Sequence, residues 1–208
     1  MIKALVSVLC LSIGLSACVP ETPSTSPKPT QQQTATAKIN GSWIDEALGD
    51  DLNLTNHHGQ NVSLKDFQGK VVAVSFGYSH CPDVCPTNLL DLAKTLKLLG
   101  EQAKDVQVLF VSVDPTRDTP AVLSEYVTLF DERFVGLSAK DDDSMQATLK
   151  AWKIAATKVP ISDGNYSVDH SAGLYLVNQQ GQAAVYLPYG SSAEKIAQDM
   201  QTLLNTPL

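Results

Sequence analysis

Two apolar, β-rich runs separated by a helical segment constrain this chain more than anything else in it. Residues 71–76 (VVAVSF) and 106–113 (VQVLFVSV) carry few polar side chains, the pattern of central strands buried on both faces. Between them Leu89, Leu92, Ala93, Leu96 and Leu99 recur at helical spacing, and Gly100 offers a stop. Strand, helix, strand in this order is a βαβ unit, with a right-handed crossover and parallel strands. Further on, residues 120–130 read as a helix capped by Thr119 with Pro120 in its first position, and Met145, Leu149 and Trp152 mark a third helix. Residues 174–178 and 183–187 flank Gln179-Gln180-Gly181 as a hairpin. The last helix is expected to begin at Ser191, with Glu194 closing a capping box. Residues 61–64 and the segment near 52–55 suggest an N-terminal edge hairpin. These elements define a three-layer α/β domain with a central mixed sheet.

The stretch CPDVCP at 81–86 follows the first central strand. A dithiol at that point of a domain of this size suggests the thioredoxin-like architecture, and in open α/β sheets ligands collect at the carboxyl ends of the strands. Pro86 disfavours helical geometry at the residue before it, so the helix is expected to start at Pro86 with Cys85 at its cap and Cys81 in the loop. Helix N–H groups directed at sulfur favour thiolate, making both sulfurs good nucleophiles and good ligands. A three-residue loop lets the pair close as a disulfide, but two thiolates straddle a metal ion without approaching bonding distance, so the wider CxxxC spacing tilts toward metal. A redox-active Cys81/Cys85 pair and a structural bridge stay open beside it.

Two thiolates need at least one more donor. His57 and His58 sit in a His-His-Gly turn and read as solvated loop residues; His80, adjoining Cys81, reads as tuning the site or simply exposed. His170 is the better candidate, because it shortly precedes residue 174. If that strand runs antiparallel to 71–76, its beginning falls at the dithiol edge. Asp114 ends the neighbouring strand and reaches the same edge, or serves with Asp118 and Arg117 as turn, cap and ion-pair residues. Asp169 is a possible acceptor for the His170 ring. Soft thiolates with one imidazole fit copper(I), and also copper(II) or zinc; zinc normally completes a tetrahedron, and no fourth donor is obvious, so copper is favoured.

The N-terminus sets the environment. Lys3 lies in a short positive start, and residues 4–15 are apolar or small but too few to span a bilayer. Leu15-Ser16-Ala17-Cys18 has the form of a bacterial lipobox, with an ordinary cleavage site as the alternative. Residues 1–17 then form a lipoprotein signal peptide, 18–40 a lipidated Cys18 with a flexible Pro/Thr/Ser/Gln-rich tether, and 41–208 the folded domain. Of the four cysteines, Cys10 leaves with the leader and Cys18 carries lipid, so Cys81 and Cys85 are the thiols that remain. With Lys+Arg 15 against Asp+Glu 22 the chain is acidic, which argues against nucleic acid or an anionic lipid surface as partner.

FGYSHCPDVCP at 76–86, SVDPTRDTP at 112–120 and VDH at 168–170 together resemble the Sco/SenC family of copper-binding assembly factors, over about residues 50–205. The resemblance implies a thioredoxin-like fold with Cys81, Cys85 and His170 as copper ligands. It further implies copper delivery, or thiol reduction, toward the binuclear copper centre of an oxidase subunit of cytochrome c oxidase or other periplasmic copper and thiol proteins. Family members are commonly held by a transmembrane helix; here lipid on Cys18 would anchor the protein at the extracytoplasmic face of a membrane.

Overall fold

The computed structural model describes residues 38–49 and 51–206. The expected leader, Cys18 and most of the expected tether lie outside these residues. In chain order the described part forms β1 (Ser42–Trp43), β2 (Leu54–Asn56), β3 (Asn61–Val62), β4 (Val71–Gly77), α1 (Val84–Leu99), β5 (Val106–Ser112), α2 (Pro120–Thr128), β6 (Val135–Ser138), α3 (Asp142–Ala151), β7 (Ala156–Pro160), β8 (Tyr166–His170), β9 (Leu174–Val177), β10 (Ala183–Leu187) and α4 (Ala193–Leu204).

β4 and β5 are the predicted central strands, paired in parallel from Val71↔Val106 to Gly77↔Ser112. Every residue of β4 is buried, as an apolar run covered on both faces requires. β9 runs antiparallel to β4, with Ser75 opposite Leu174, so the sheet is mixed and the start of β9 lies at the carboxyl edge of β4. The full order is β1-β10-β9-β4-β5-β6-β2-β3. The edge hairpin of β2 and β3 forms with Leu54 opposite Val62. α1 and α4 pack together, tied by the Thr95 hydroxyl donating to the Ala193 carbonyl at 3.2 Å. A separate aromatic group joins Phe76, Trp152 and Tyr175, with centroids 5.6–6.2 Å apart.

Several boundaries differ from the sequence expectation. α1 begins at Val84 with Asp83 as cap, so Cys85 and Pro86 both lie within its first turn. The N–H groups there have no intrahelical acceptor, and a proline costs nothing for the one it lacks. The final helix is capped by Ser192, while Ser191 bonds back to the Pro188 carbonyl; the expected Ser191–Glu194 box does not form. β6 escaped the sequence reading because it is four residues long and contains Gly136. A Cβ at that glycine would meet Leu123 Cβ at 3.0 Å, a tight contact. The hairpin β7–β8 also escaped it: it forms its own two-stranded sheet, and its residues are mostly exposed or half-buried, leaving little apolar pattern to read. At the N-terminal side, the buried Asp199 carboxylate accepts the backbone N–H groups of Asn40 at 2.7 Å and Gly41 at 2.8 Å. None of the described helices is long and apolar enough to cross a membrane.

Candidate metal centre

The carboxyl edge of β4 opens into the loop that carries Cys81, whose N–H bonds the Tyr78 carbonyl at 3.2 Å. The preceding turn is pinned by Asp118, a buried carboxylate that accepts the Ser79 N–H at 3.0 Å and the hydroxyls of Ser79 and Ser112. Cys85 follows on the first turn of α1. Its sulfur presses on the backbone of Gly77: a Cβ at that position would meet Cys85 Sγ at 2.8 Å and Phe110 Cε2 at 2.7 Å. The last residue of β4 is therefore glycine because sulfur and an aromatic ring already fill the space above it.

His170 ends β8 and arrives at the same edge. Its Nδ1 lies 2.9 Å from the Ser171 carbonyl; a carbonyl only accepts, so Nδ1 carries the proton and Nε2 keeps a free lone pair. That lone pair faces Cys85 Sγ at 3.4 Å. The ring stands edge-on to Tyr78, centroids 5.9 Å apart, and the Tyr78 hydroxyl accepts the Val168 N–H at 3.2 Å. Tyr78 thus joins the cysteine loop to the strand bearing the imidazole.

Sulfur of Cys81, sulfur of Cys85 and a ring nitrogen of His170 all lie within 4.8 Å of one another, and among the described residues theirs is the one group of three or more such donors that could hold a metal. Three donors around one ion, with M–S near 2.3 Å and M–N near 2.0 Å, are separated by about 3.7–4.0 Å. The cluster requires only small movements to meet that geometry. Both thiols are free. The expectation that the helix terminus makes both good thiolates fails at Cys85. Burial pushes its thiol far up, with the hydrogen bond and charge of Cys81 and the charge of Asp118 adding to the rise and the Tyr78 amide opposing it. A soft cation that displaces the proton supplies the positive charge this site otherwise lacks.

Other residues read from sequence fall elsewhere. Asp114 is outside the donor cluster; it is buried, ion-paired with Arg117 and bonded by the Tyr166 hydroxyl at 2.8 Å. The Arg117 guanidinium lies 3.8 Å over the Tyr166 ring and bonds the Tyr166 carbonyl at 2.9 Å, so DPTRDTP braces the β7–β8 hairpin. Asp169 is exposed and pairs with Thr157 across that hairpin; the acceptor for His170 is the Ser171 carbonyl instead. His80 is half exposed, with Nδ1 2.9 Å from the Ser79 hydroxyl. His57 is not a solvated loop residue. It is buried, and its Nδ1 accepts the Gly136 N–H at 3.0 Å.

A thioredoxin-like sheet that gathers two thiols and an imidazole at its carboxyl edge defines a class of proteins built to engage a soft metal or a disulfide. The SCO1/SenC family model matches residues 43–205, and the chain belongs to that family. A mitochondrial SCO2 homologue of Danio rerio is 36% identical over 164 residues, covering 77% of this chain and 58% of the zebrafish protein. A SCO2-like protein of Rickettsia felis is 29% identical, covering 80% and 82% of the two chains. Among solved structures, Bradyrhizobium japonicum ScoI with copper bound superposes with a TM-score of 0.70 at 37% identity, over 76% of this chain and 99% of that one.

Proposed function

We propose that this protein is a copper chaperone of the Sco/SenC type, holding copper through Cys81, Cys85 and His170 and passing it to the binuclear copper centre of cytochrome c oxidase. The observation that carries the reading is the convergence of two sulfurs and one imidazole nitrogen within 4.8 Å. Two soft thiolates with one imidazole suit copper(I) and accommodate copper(II), whereas a structural zinc site would call for a fourth donor. Support comes from relatives whose structures hold copper, among them ScoI of Bradyrhizobium japonicum and yeast Sco1. Lipid on Cys18 and the tether of residues 18–40 would hold the domain 41–208 at the extracytoplasmic face, where a copper-accepting oxidase subunit presents its site. A SCO1/SenC lipoprotein is known in Bacillus anthracis, 26% identical to this chain.

A second reading rests on the two thiols being free, with their sulfurs within 4.8 Å of each other. In it Cys81 and Cys85 reduce a partner's disulfide: they join as a bridge, and their two electrons and two protons become the partner's two thiols. Anaerobic copper(I) titration separates the readings. The chaperone reading expects about one tightly held copper per chain and a loss of at least about a hundredfold in affinity in His170→Ala. Dithiol chemistry expects exchange to survive that substitution. A protein that takes up no copper under these conditions ends the chaperone reading.

A further inference from the structure

Asn88 lies inside α1, where asparagine is a weaker helix former than leucine or alanine. Its side-chain amide donates to the Ala172 carbonyl at 3.0 Å; a carbonyl only accepts, so Nδ2 is the atom that faces it. The bond runs from the helix of Cys85 to the segment that follows His170. A matching tie lies on the other side of the imidazole, where the Tyr78 hydroxyl accepts the Val168 N–H at 3.2 Å. The spacing is symmetric. Tyr78 stands three residues before Cys81 and Asn88 three residues after Cys85, and the positions they grip lie two residues before and two residues after His170. Ser171 is tied differently: it donates its N–H to the Ala155 carbonyl at 2.9 Å and accepts the Ala155 N–H on its hydroxyl at 3.1 Å. Ala155 directly precedes β7, so those bonds hold the hairpin to itself and leave its placement against α1 to Asn88.

We propose that Asn88 is a positioning residue for His170: its amide clamps the segment 171–173 to α1 and so holds the imidazole at the distance from Cys85 that a shared ion requires. The inference rests on the copper reading above. Asn88 acts through the main chain. Its amide fixes Ala172, the adjoining Ser171 carbonyl accepts the His170 Nδ1 proton at 2.9 Å, and Nε2 is thereby turned toward Cys85 Sγ at 3.4 Å. A ligand constellation tolerates an error of about 0.5 Å, so the segment that carries the imidazole has to be ordered with respect to the helix that carries the sulfur. With the clamp in place that ordering is completed on folding. Without it, part of the ordering is left to the moment of binding and subtracts from affinity.

The test places Asn88→Leu and Asn88→Ala in the wild-type full chain and again in His170→Ala. Copper(I) affinity is read by competition against a chromophoric chelator, and the metal-free forms are followed by amide hydrogen exchange and thermal melting. Leucine has room, because Asn88 borders a small cavity with Leu92, Leu174 and Pro188, and alanine adds no bulk. In the wild-type background both substitutions are expected to weaken copper(I) about threefold to tenfold, the range for one neutral hydrogen bond. In His170→Ala they are expected to change nothing further, because the group they position is gone. In the metal-free variants the Ser171 N–H should exchange faster while the melting temperature stays near that of the parent, since the half-buried Ala172 carbonyl can turn to water. Wild-type copper affinity in both variants overturns the proposal. So does an equal loss with and without His170, which would place the effect in the helix and Cys85. A parent protein that binds no copper ends the chaperone reading and this inference with it, whereas a parent that binds copper and variants that match it end this inference alone.

Discussion

Gly77→Ala tests whether the wall behind Cys85 sets the metal site. The added methyl would sit 2.8 Å from Cys85 Sγ, with Phe110 Cε2 at 2.7 Å and Cζ at 3.1 Å on its other side. Ordinary van der Waals contact lies at about 3.5–4.0 Å, so the sulfur or the ring must retreat by more than half an ångström. Phe110 is fully buried and backed by Tyr126, which leaves the sulfur as the group that moves. Overpacking of this kind costs about 1–3 kcal/mol, or roughly 2–12 °C in melting temperature for a domain of this size. A ligand displaced by that much misses the tolerance of about 0.5 Å that a binding constellation allows, so copper(I) affinity should fall by at least about tenfold. Gly136→Ala is the control, because it meets Leu123 Cβ at 3.0 Å and Val127 Cγ1 at 3.3 Å without touching sulfur. Thermal melting and chelator competition read both variants. The control should lose stability while keeping its copper affinity. Wild-type affinity in Gly77→Ala would refute the reasoning, since it would show that the sulfur's position does not depend on the strand beneath it.

Arg117→Ala removes the partner of the fully buried Asp114 and should cost about 3 kcal/mol in urea denaturation, the lower end of the range for orphaning a buried charge; a loss under about 1 kcal/mol would show that the brace on Tyr166 carries little. His57 is held below its ordinary pKa of 6.5 by burial and by the adjacent His58. The unfolded chain then binds the proton more readily, so stability is level above about pH 7 and falls as pH drops through the unfolded value, by at most about 1.4 kcal/mol per pH unit. His57→Gln, whose amide oxygen can still accept the Gly136 N–H, should flatten that slope between about pH 7.5 and pH 5.5; an unchanged slope would remove His57 as its source.

The legible part of this protein is what the periodicities dictate. The βαβ unit follows from two uninterrupted apolar runs, and the position of His170 follows from one topological step, the antiparallel return of β9 beside β4. Local polar context hid the rest. The residues around His170 form an exposed hairpin whose order comes from Arg117 and Tyr78 rather than from its own apolar pattern. The depth of Cys85 could not be inferred from CPDVCP, because it depends on the glycine that ends the strand four residues before Cys81 and on Phe110 from the next strand. His57 looked like a turn residue because the donor that occupies it, Gly136, belongs to a strand too short to read.

The three donors are held by structures of different rigidity, and that difference bears on transfer. Cys85 is 1% exposed and fixed between a helix and a central strand, so its sulfur is the invariant point of the site. Cys81 is half-buried in a loop, reachable by an incoming ligand. His170 ends a hairpin that forms its own two-stranded sheet and is joined to the cysteine loop through the Tyr78 hydroxyl. A site meant to retain its ion would embed all donors alike, as structural zinc sites do. On the copper reading, an acceptor thiolate would approach at Cys81 while the buried Cys85 still held the ion. Such an exchange would replace donors one at a time without releasing copper to water. The same asymmetry serves the thiol reading, since disulfide exchange also needs one exposed sulfur to attack and one sheltered sulfur to resolve.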